Sequence, residues 1–178
     1  MNLPNKITLA RIFLIPIFLA GFFCLPHGEA WSAVIFAIAG ASDALDGNIA
    51  RKQGLVTTMG KFIDPLADKL LVLTALIALL SHGMISAVAV AVIIWREISV
   101  DGLRILAADK GEVIAASQWG KLKTTSQIVA ILALLVSKLS LWPQPLYQIL
   151  CQILIWGAVG LTIFSGYDYF RKGWKYLK

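Results

Sequence analysis

Residues 31–81 read WSAVIFAIAGASDALDGNIARKQGLVTTMGKFIDPLADKLLVLTALIALLS. Two apolar runs flank a short polar break around Arg51, Lys52 and Gly54. Each run carries its acids toward that break, Asp43 and Asp46 on one side and Asp64 and Asp68 on the other. About 20 apolar residues suffice to cross a hydrocarbon core of roughly 30 Å as a helix. Ionisable groups inside such a span are costly and mark function by default. The stretch therefore predicts two antiparallel membrane helices joined by a short loop, with a carboxylate cluster near one membrane face.

The rest of the chain extends this pattern. Of 178 residues, 58% are apolar, and the mean hydropathy is +0.78, above the range of a soluble domain. The expected fold class is all-α: one polytopic membrane domain over residues 1–178, with six transmembrane helices near 6–25, 31–53, 60–81, 85–109, 118–138 and 145–170. Glycine and proline punctuate the breaks at Pro26-His27-Gly28, Gly54, Ser81-His82-Gly83, Lys110-Gly111 and Pro143-Gln144-Pro145. Asn5 after Pro4 is read as the cap of the first helix. The first run is read as a retained helix rather than a cleaved signal, because Pro26 to Glu29 is not a small-residue cleavage site. Cys24 and Cys151 lie in apolar stretches and read as small buried hydrophobes. His27 and His82 read as solvated loop residues.

With the N-terminus inside, nearly all cations outside the spans fall on the cytoplasmic side, and Lys138 alone falls on the other. Both termini come out cytoplasmic by the positive-inside rule. The net charge of +6 thus reads as topology and attraction to anionic lipid and substrate, not nucleic-acid binding. The basic C-terminal cluster reads as a solvated anchor.

Asp43 and Asp46 are three residues apart, and Asp64 and Asp68 four, so each pair shares a helix face. At 1.5 Å per residue Asp43 lies about 12 Å from its helix end, and the second pair roughly 5–11 Å in, so all four can meet at one depth. Four unneutralised carboxylates would repel one another. Either some are protonated or cations sit between them, and oxygen-only ligands select hard ions such as Mg²⁺ or Mn²⁺. Two such ions form a clamp suited to displacement at phosphorus.

The run from Asp43 through Asp46, Gly47, Ala50 and Arg51, then eight residues, then Gly60, Asp64 and Asp68, fills the pattern D-x-x-D-G-x-x-A-R-x8-G-x-x-x-D-x-x-x-D. It resembles the signature of the CDP-alcohol phosphatidyltransferase family, and the resemblance extends along nearly the whole chain in length and span number. It implies a six-helix homodimer in the cytoplasmic (inner) membrane of a bacterium, with the active site facing the cytoplasm. The expected donor is CDP-diacylglycerol, and the expected cofactors are two divalent cations on Asp43, Asp46, Asp64 and Asp68. Gly47, Ala50 and Gly60 remove bulk beside the acids and let a pyrimidine and pyrophosphate approach the backbone; small-residue helix packing is the alternative. Arg51 at the helix end is placed to meet phosphate. By resemblance Asn5, Thr8 and Arg11 border the nucleotide, although a cap residue and cytoplasmic cations explain that run almost as well.

A second cluster comprises Arg96, Glu97, Asp101 and Arg104, followed by Gly120, Lys121, Lys123 and Thr124. It looks like the corresponding segments of bacterial family members that use glycerol 3-phosphate. Arg96, Arg104, Lys121 and Lys123 are the expected holders of the acceptor phosphate, since arginine suits bidentate contact and lysine supplies point charge. In the alternative, Glu97 or Asp101 pairs with Arg104 at helical spacing and part of the cluster is structural. Asp101 stands where a small or hydroxyl residue is expected. Asp68 is the expected general base for direct transfer. Serine, inositol phosphate and phosphatidylglycerol are the rival acceptors. Outside enzymology the rival is a divalent-cation transporter, whose carboxylates would lie near the midplane.

Overall fold

The computed structural model describes residues 3–53, 58–112, 114, 117–139 and 143–176; the side chains of 3–7, 43–53, 58–62, 64 and 138 lie outside that description. All regular structure among these residues is helical: α1 (Leu3–Cys24), α2 (Gly28–Gln53), α3 (Thr58–Ser81), α4 (Ala87–Asp109), α5 (Gln118–Leu135) and α6 (Gln144–Gly173), with 3-10 turns at Ser137–Leu139 and Trp174–Tyr176. The six expected helices are therefore present within a few residues. Asn5 does not cap the first, because α1 already begins at Leu3. Pro4 in the first turn fits that start, since the first helical N–H groups have no partner to lose.

Local chemistry sets the other ends. The Ser86 hydroxyl accepts from the Val88 N–H and caps α4. The Ser117 hydroxyl accepts from the Gly120 N–H and caps α5. Helix α1 packs on α2 and α3, α6 packs on α5 and α4, and α5 joins the two groups through α2 and α3. Each helix sends at least one large apolar side chain into a common core: Phe18, Phe36, Leu76, Ile93, Ile131 and Ile155 are all buried.

The helices differ in how far they stay apolar. Among the described residues, Gln144–Tyr176 is the one helix long and apolar enough to cross a membrane by length and composition, with shorter apolar stretches at Thr8–Cys24 and Gly28–Ser42. On α4 the four charges from Arg96 to Arg104 interrupt the run that the spacing of breaks marked as a span.

One peripheral expectation changes here, that for Cys24. The His82 ring packs on Phe22, with centroids 4.5 Å apart, and on Phe23. Its Nδ1 lies 3.4 Å from a carboxylate oxygen of buried Glu29, so this exposed turn residue also holds contacts to α1 and α2. His27 is exposed, with a left-handed φ of 56°. Both cysteines are free, Cys151 buried and Cys24 exposed, because the end of α1 turns Cys24 away from the core.

The basic C-terminal segment is tethered at Tyr176, while its described cations stay exposed. Tyr176 is buried beside Leu103 and Ala107 of α4, and its hydroxyl donates to Glu112. Lys175 Nζ lies 2.5 Å from the same carboxylate, and Lys110 donates to the Tyr176 carbonyl. Gly173 allows this approach, since a Cβ there would come 2.4 Å from a Leu103 methyl and that side chain would have to shift. The hydrogen bonds from Lys175 and Tyr176 hold the Glu112 carboxyl below its ordinary value of 4.5. A depressed carboxylate contributes to docking above its unfolded pKa, and the contribution is lost as pH falls through the folded value. Glu112→Gln is thus expected to speed amide exchange in 174–176 at neutral pH. The wild type should converge on the variant's rates, after correction for intrinsic exchange, as the solution is acidified through the lowered pKa of Glu112; hydrogen-exchange mass spectrometry of the C-terminal peptide measures both.

Candidate functional site

Helix α4 brings Arg96, Glu97, Val100, Asp101 and Arg104 along one stripe, since residues three and four apart are neighbours on a helix. The first two turns of α5, started by the Ser117 cap, place Gly120, Lys121, Lys123 and Thr124 opposite. Tyr169 closes the space from α6. These residues, with Lys69 of α3, line a cleft of about 390 Å³. All four cations expected to hold an acceptor phosphate, Arg96, Arg104, Lys121 and Lys123, therefore meet in one place.

Their surroundings differ. Arg96 is buried, donates to the Ser165 hydroxyl at 2.6 Å and lies 3.3 Å from a Glu97 oxygen. Its stem fits against Gly166, where a Cβ would stand 3.1 Å from Arg96 Cγ. Lys123 is buried too and donates to the same Glu97 oxygen. Removing one partner of such a buried set leaves a charge uncompensated and typically costs about 3–5 kcal/mol. Arg104 is half-buried and donates to the Tyr169 hydroxyl at 2.7 Å, and Lys121 is exposed.

These pairings decide the alternative raised by the sequence. Neither acid pairs with Arg104. Glu97 goes to Arg96 and Lys123, and Asp101 goes to Lys69 on α3. The unexpected acid at position 101 has a partner there that spacing along α4 does not reveal. Arg104 and Lys121 carry no ion pair with a described carboxylate, whereas Arg96 and Lys123 are partly neutralised.

A second cleft of about 170 Å³ adjoins the first and shares Lys69, Glu97, Arg104, Lys123 and Thr124 with it. Pro65 and Asp68 line its other side. Arg11 Nη1 donates to Asp68 Oδ1 at 2.5 Å; the Arg11 side chain is fully buried, while that of Asp68 remains 44% exposed. Arg11, expected as a cytoplasmic cation bordering the nucleotide, is thus buried and bonded to Asp68. Its place inside the apolar run before Ile12 and Phe13 was the available signal for a buried partner. Thr8, three residues earlier, is buried and lines neither cleft.

Asp43, Asp46, Gly47, Ala50 and Arg51 lie on the last part of α2, and Gly60 and Asp64 on the first turns of α3. Their side chains, like that of Asn5, lie outside the described residues. Of the four aspartates, Asp68 is the one described, and it presents a part-exposed carboxylate at a cleft. An oxygen-only donor set fits hard divalent cations.

Comparison with known proteins places this geometry in context. The sequence model of the CDP-alcohol phosphatidyltransferase family matches residues 1–164. A protein of Bacillus subtilis (strain 168) named CDP-diacylglycerol--glycerol-3-phosphate 3-phosphatidyltransferase is 47% identical over 191 residues, covering 99% of this chain and 97% of its own length. Proteins of the same name from Pseudomonas fluorescens and Rickettsia bellii (strain RML369-C) are 40% and 38% identical. They cover 100% and 98% of this chain and 93% and 97% of their own lengths.

Proposed function

Because this chain belongs to the CDP-alcohol phosphatidyltransferase family and is an enzyme of that class, we propose that it transfers the phosphatidyl group of CDP-diacylglycerol to glycerol 3-phosphate. The products are phosphatidylglycerol phosphate and CMP, a step of phospholipid biosynthesis. The observation that carries the acceptor assignment is the meeting of Arg96, Arg104, Lys121 and Lys123 in one cleft that opens beside Asp68. An alcohol without a phosphate, such as serine or inositol, would leave that basic cleft without its dianionic partner.

In the proposed mechanism Arg104 and Lys121 take the acceptor phosphate directly. Glu97 orients Lys123, and Arg96 supplies charge from below. The acceptor hydroxyl then lies toward the smaller cleft, where Asp68 removes its proton. Its oxygen forms a bond to the lipid-side phosphorus as the bond from that phosphorus to the CMP oxygen breaks, and Arg51 meets the charge on the departing CMP. Gly47, Ala50 and Gly60 leave room for the nucleotide, and Asn5 and Thr8 support the same region. Two divalent cations, Mg²⁺ or Mn²⁺, held by Asp43, Asp46, Asp64 and Asp68, would supply charge neutralisation at the pyrophosphate.

The same reading sets all six helices across the cytoplasmic membrane of a bacterium, with both termini and the clefts on the cytoplasmic side, in a homodimer. Supporting it are the basic residues gathered at one side of the sequence's break pattern and the large apolar side chains left exposed around the bundle, among them Phe13, Ile17, Ile98, Ile105, Ile153 and Ile163. A patch of that extent is unusual on a soluble monomer.

Purified protein supplied with CDP-diacylglycerol and a panel of alcohols, with released CMP as the readout, tests the assignment. Arg104→Ala is expected to raise KM for glycerol 3-phosphate about ten- to a hundred-fold, the loss of one charge-assisted contact, and to leave KM for CDP-diacylglycerol nearly unchanged. Efficient wild-type use of free serine or inositol would sink the glycerol 3-phosphate assignment.

A further inference from the structure

Tyr169 belongs to no signature segment, and it lies beyond the residues matched by the family. It is nevertheless the most connected side chain of the larger cleft. It is 2% exposed. Its hydroxyl oxygen accepts from Arg104 Nη2 at 2.7 Å and from the Ser117 N–H at 3.1 Å. Two guanidinium groups approach its ring, with the Arg96 and Arg104 carbons 5.3 and 5.1 Å from its centroid, inside the range of about 6 Å where a cation is attracted to an aromatic face. Gly120 faces the ring edge, and a Cβ there would stand 3.4 Å from Tyr169 Cε2.

We propose that Tyr169 is the positioning residue of the acceptor site: its hydroxyl fixes the Arg104 guanidinium and the start of α5 against one another. This rests on the acceptor reading given above. A guanidinium on a flexible stem loses rotamer freedom when it grips a phosphate. One already held by a phenol oxygen and a ring face loses less on binding, so affinity rises. The Ser117 bond extends the effect to α5, because Ser117 caps the helix that carries Lys121 and Lys123. The residue thus ties three helices at the point where their cations converge, and it acts on acceptor affinity through Arg104 rather than on bond making.

Tyr169→Phe keeps the ring and removes the oxygen, so folding should survive, with a melting temperature in detergent close to that of the wild type. KM for glycerol 3-phosphate is expected to rise about ten-fold, the loss of one hydrogen bond to a charged group, with kcat and KM for CDP-diacylglycerol changed less than about two-fold. In the Arg104→Ala background the same substitution should add less than about two-fold, because residues that act as a unit are not additive. An unchanged glycerol 3-phosphate constant, equal damage to both substrates, or a full ten-fold effect in the Arg104→Ala background would overturn the proposal. Thermal stabilisation by inorganic phosphate gives a readout independent of turnover. Tyr169→Phe should require about ten-fold more phosphate for the same protection, and unchanged protection would count against it. Wild-type failure to use glycerol 3-phosphate would overturn the acceptor reading instead, with the phosphate titration still deciding whether Tyr169 positions the basic cleft.

Discussion

Asp68→Asn is expected to lower kcat by about 10²–10⁴, the usual contribution of a general base, in a protein that remains folded and still binds CDP-diacylglycerol. The choice of asparagine follows from the Arg11 contact. Asp68 Oδ1 accepts from a fully buried guanidinium, and the asparagine side-chain oxygen can accept the same bond. Alanine would remove that acceptor altogether, and losing a hydrogen bond to a buried charged group costs enough stability to confuse lost folding with lost chemistry. With asparagine, the amide has no basic lone pair to take the hydroxyl proton. Single-turnover CMP release from protein loaded with CDP-diacylglycerol isolates that step from product release. Full activity of the variant across the pH range would remove Asp68 from the role of base.

Asp43→Ala and Asp64→Ala should be at least as damaging. Divalent ions at a transferring phosphoryl group supply several kcal/mol of charge stabilisation. At about 1.4 kcal/mol per decade, loss of the clamp corresponds to roughly a thousand-fold or more in rate. The two residues sit on different helices, α2 and α3, so equal losses would mean that both helices serve one metal cluster. The measurement is the Mg²⁺ dependence of CMP release for each variant beside the wild type. Recovery of wild-type rates by Asp43→Ala in excess Mg²⁺ would make Asp43 a peripheral ligand.

The helices were legible because glycine, proline and polar breaks interrupt long apolar runs, and such punctuation is local. The turns at His82-Gly83 and Lys110-Gly111 fall where the sequence expects them. Four cations of the larger cleft, Arg96, Arg104, Lys121 and Lys123, were legible as well, since they are ionisable groups clustered on two apolar helices. Their partners were not. Asp101 meets Lys69 from 32 residues away and Arg11 meets Asp68 from 57; both depend on how helices rotate against one another, which a hydropathy pattern leaves undetermined. Tyr169 escaped notice for a related reason. A tyrosine near the end of an apolar helix reads as an interfacial ring, and only the fold turns this one inward to meet Arg104. The C-terminal lysines Lys172 and Lys175 stay exposed, as the sequence expects, but charge density alone did not reveal the Tyr176 contact with Glu112 beside them.

The larger cleft, among its described lining residues, sets the five cations Lys69, Arg96, Arg104, Lys121 and Lys123 against the two carboxylates Glu97 and Asp101. That surplus projects a field into the surrounding water, decaying over a screening distance of about 8 Å at physiological ionic strength. The two proposed substrates experience it unequally. A soluble dianion is drawn down the potential from bulk solution, so its capture rate falls as salt accumulates. A lipid-linked nucleotide diffuses within the bilayer plane and reaches the aspartates without crossing the same solvent layer. Ionic strength therefore acts on one arm of the reaction, and below saturation it would set the pace of synthesis through the aqueous substrate alone.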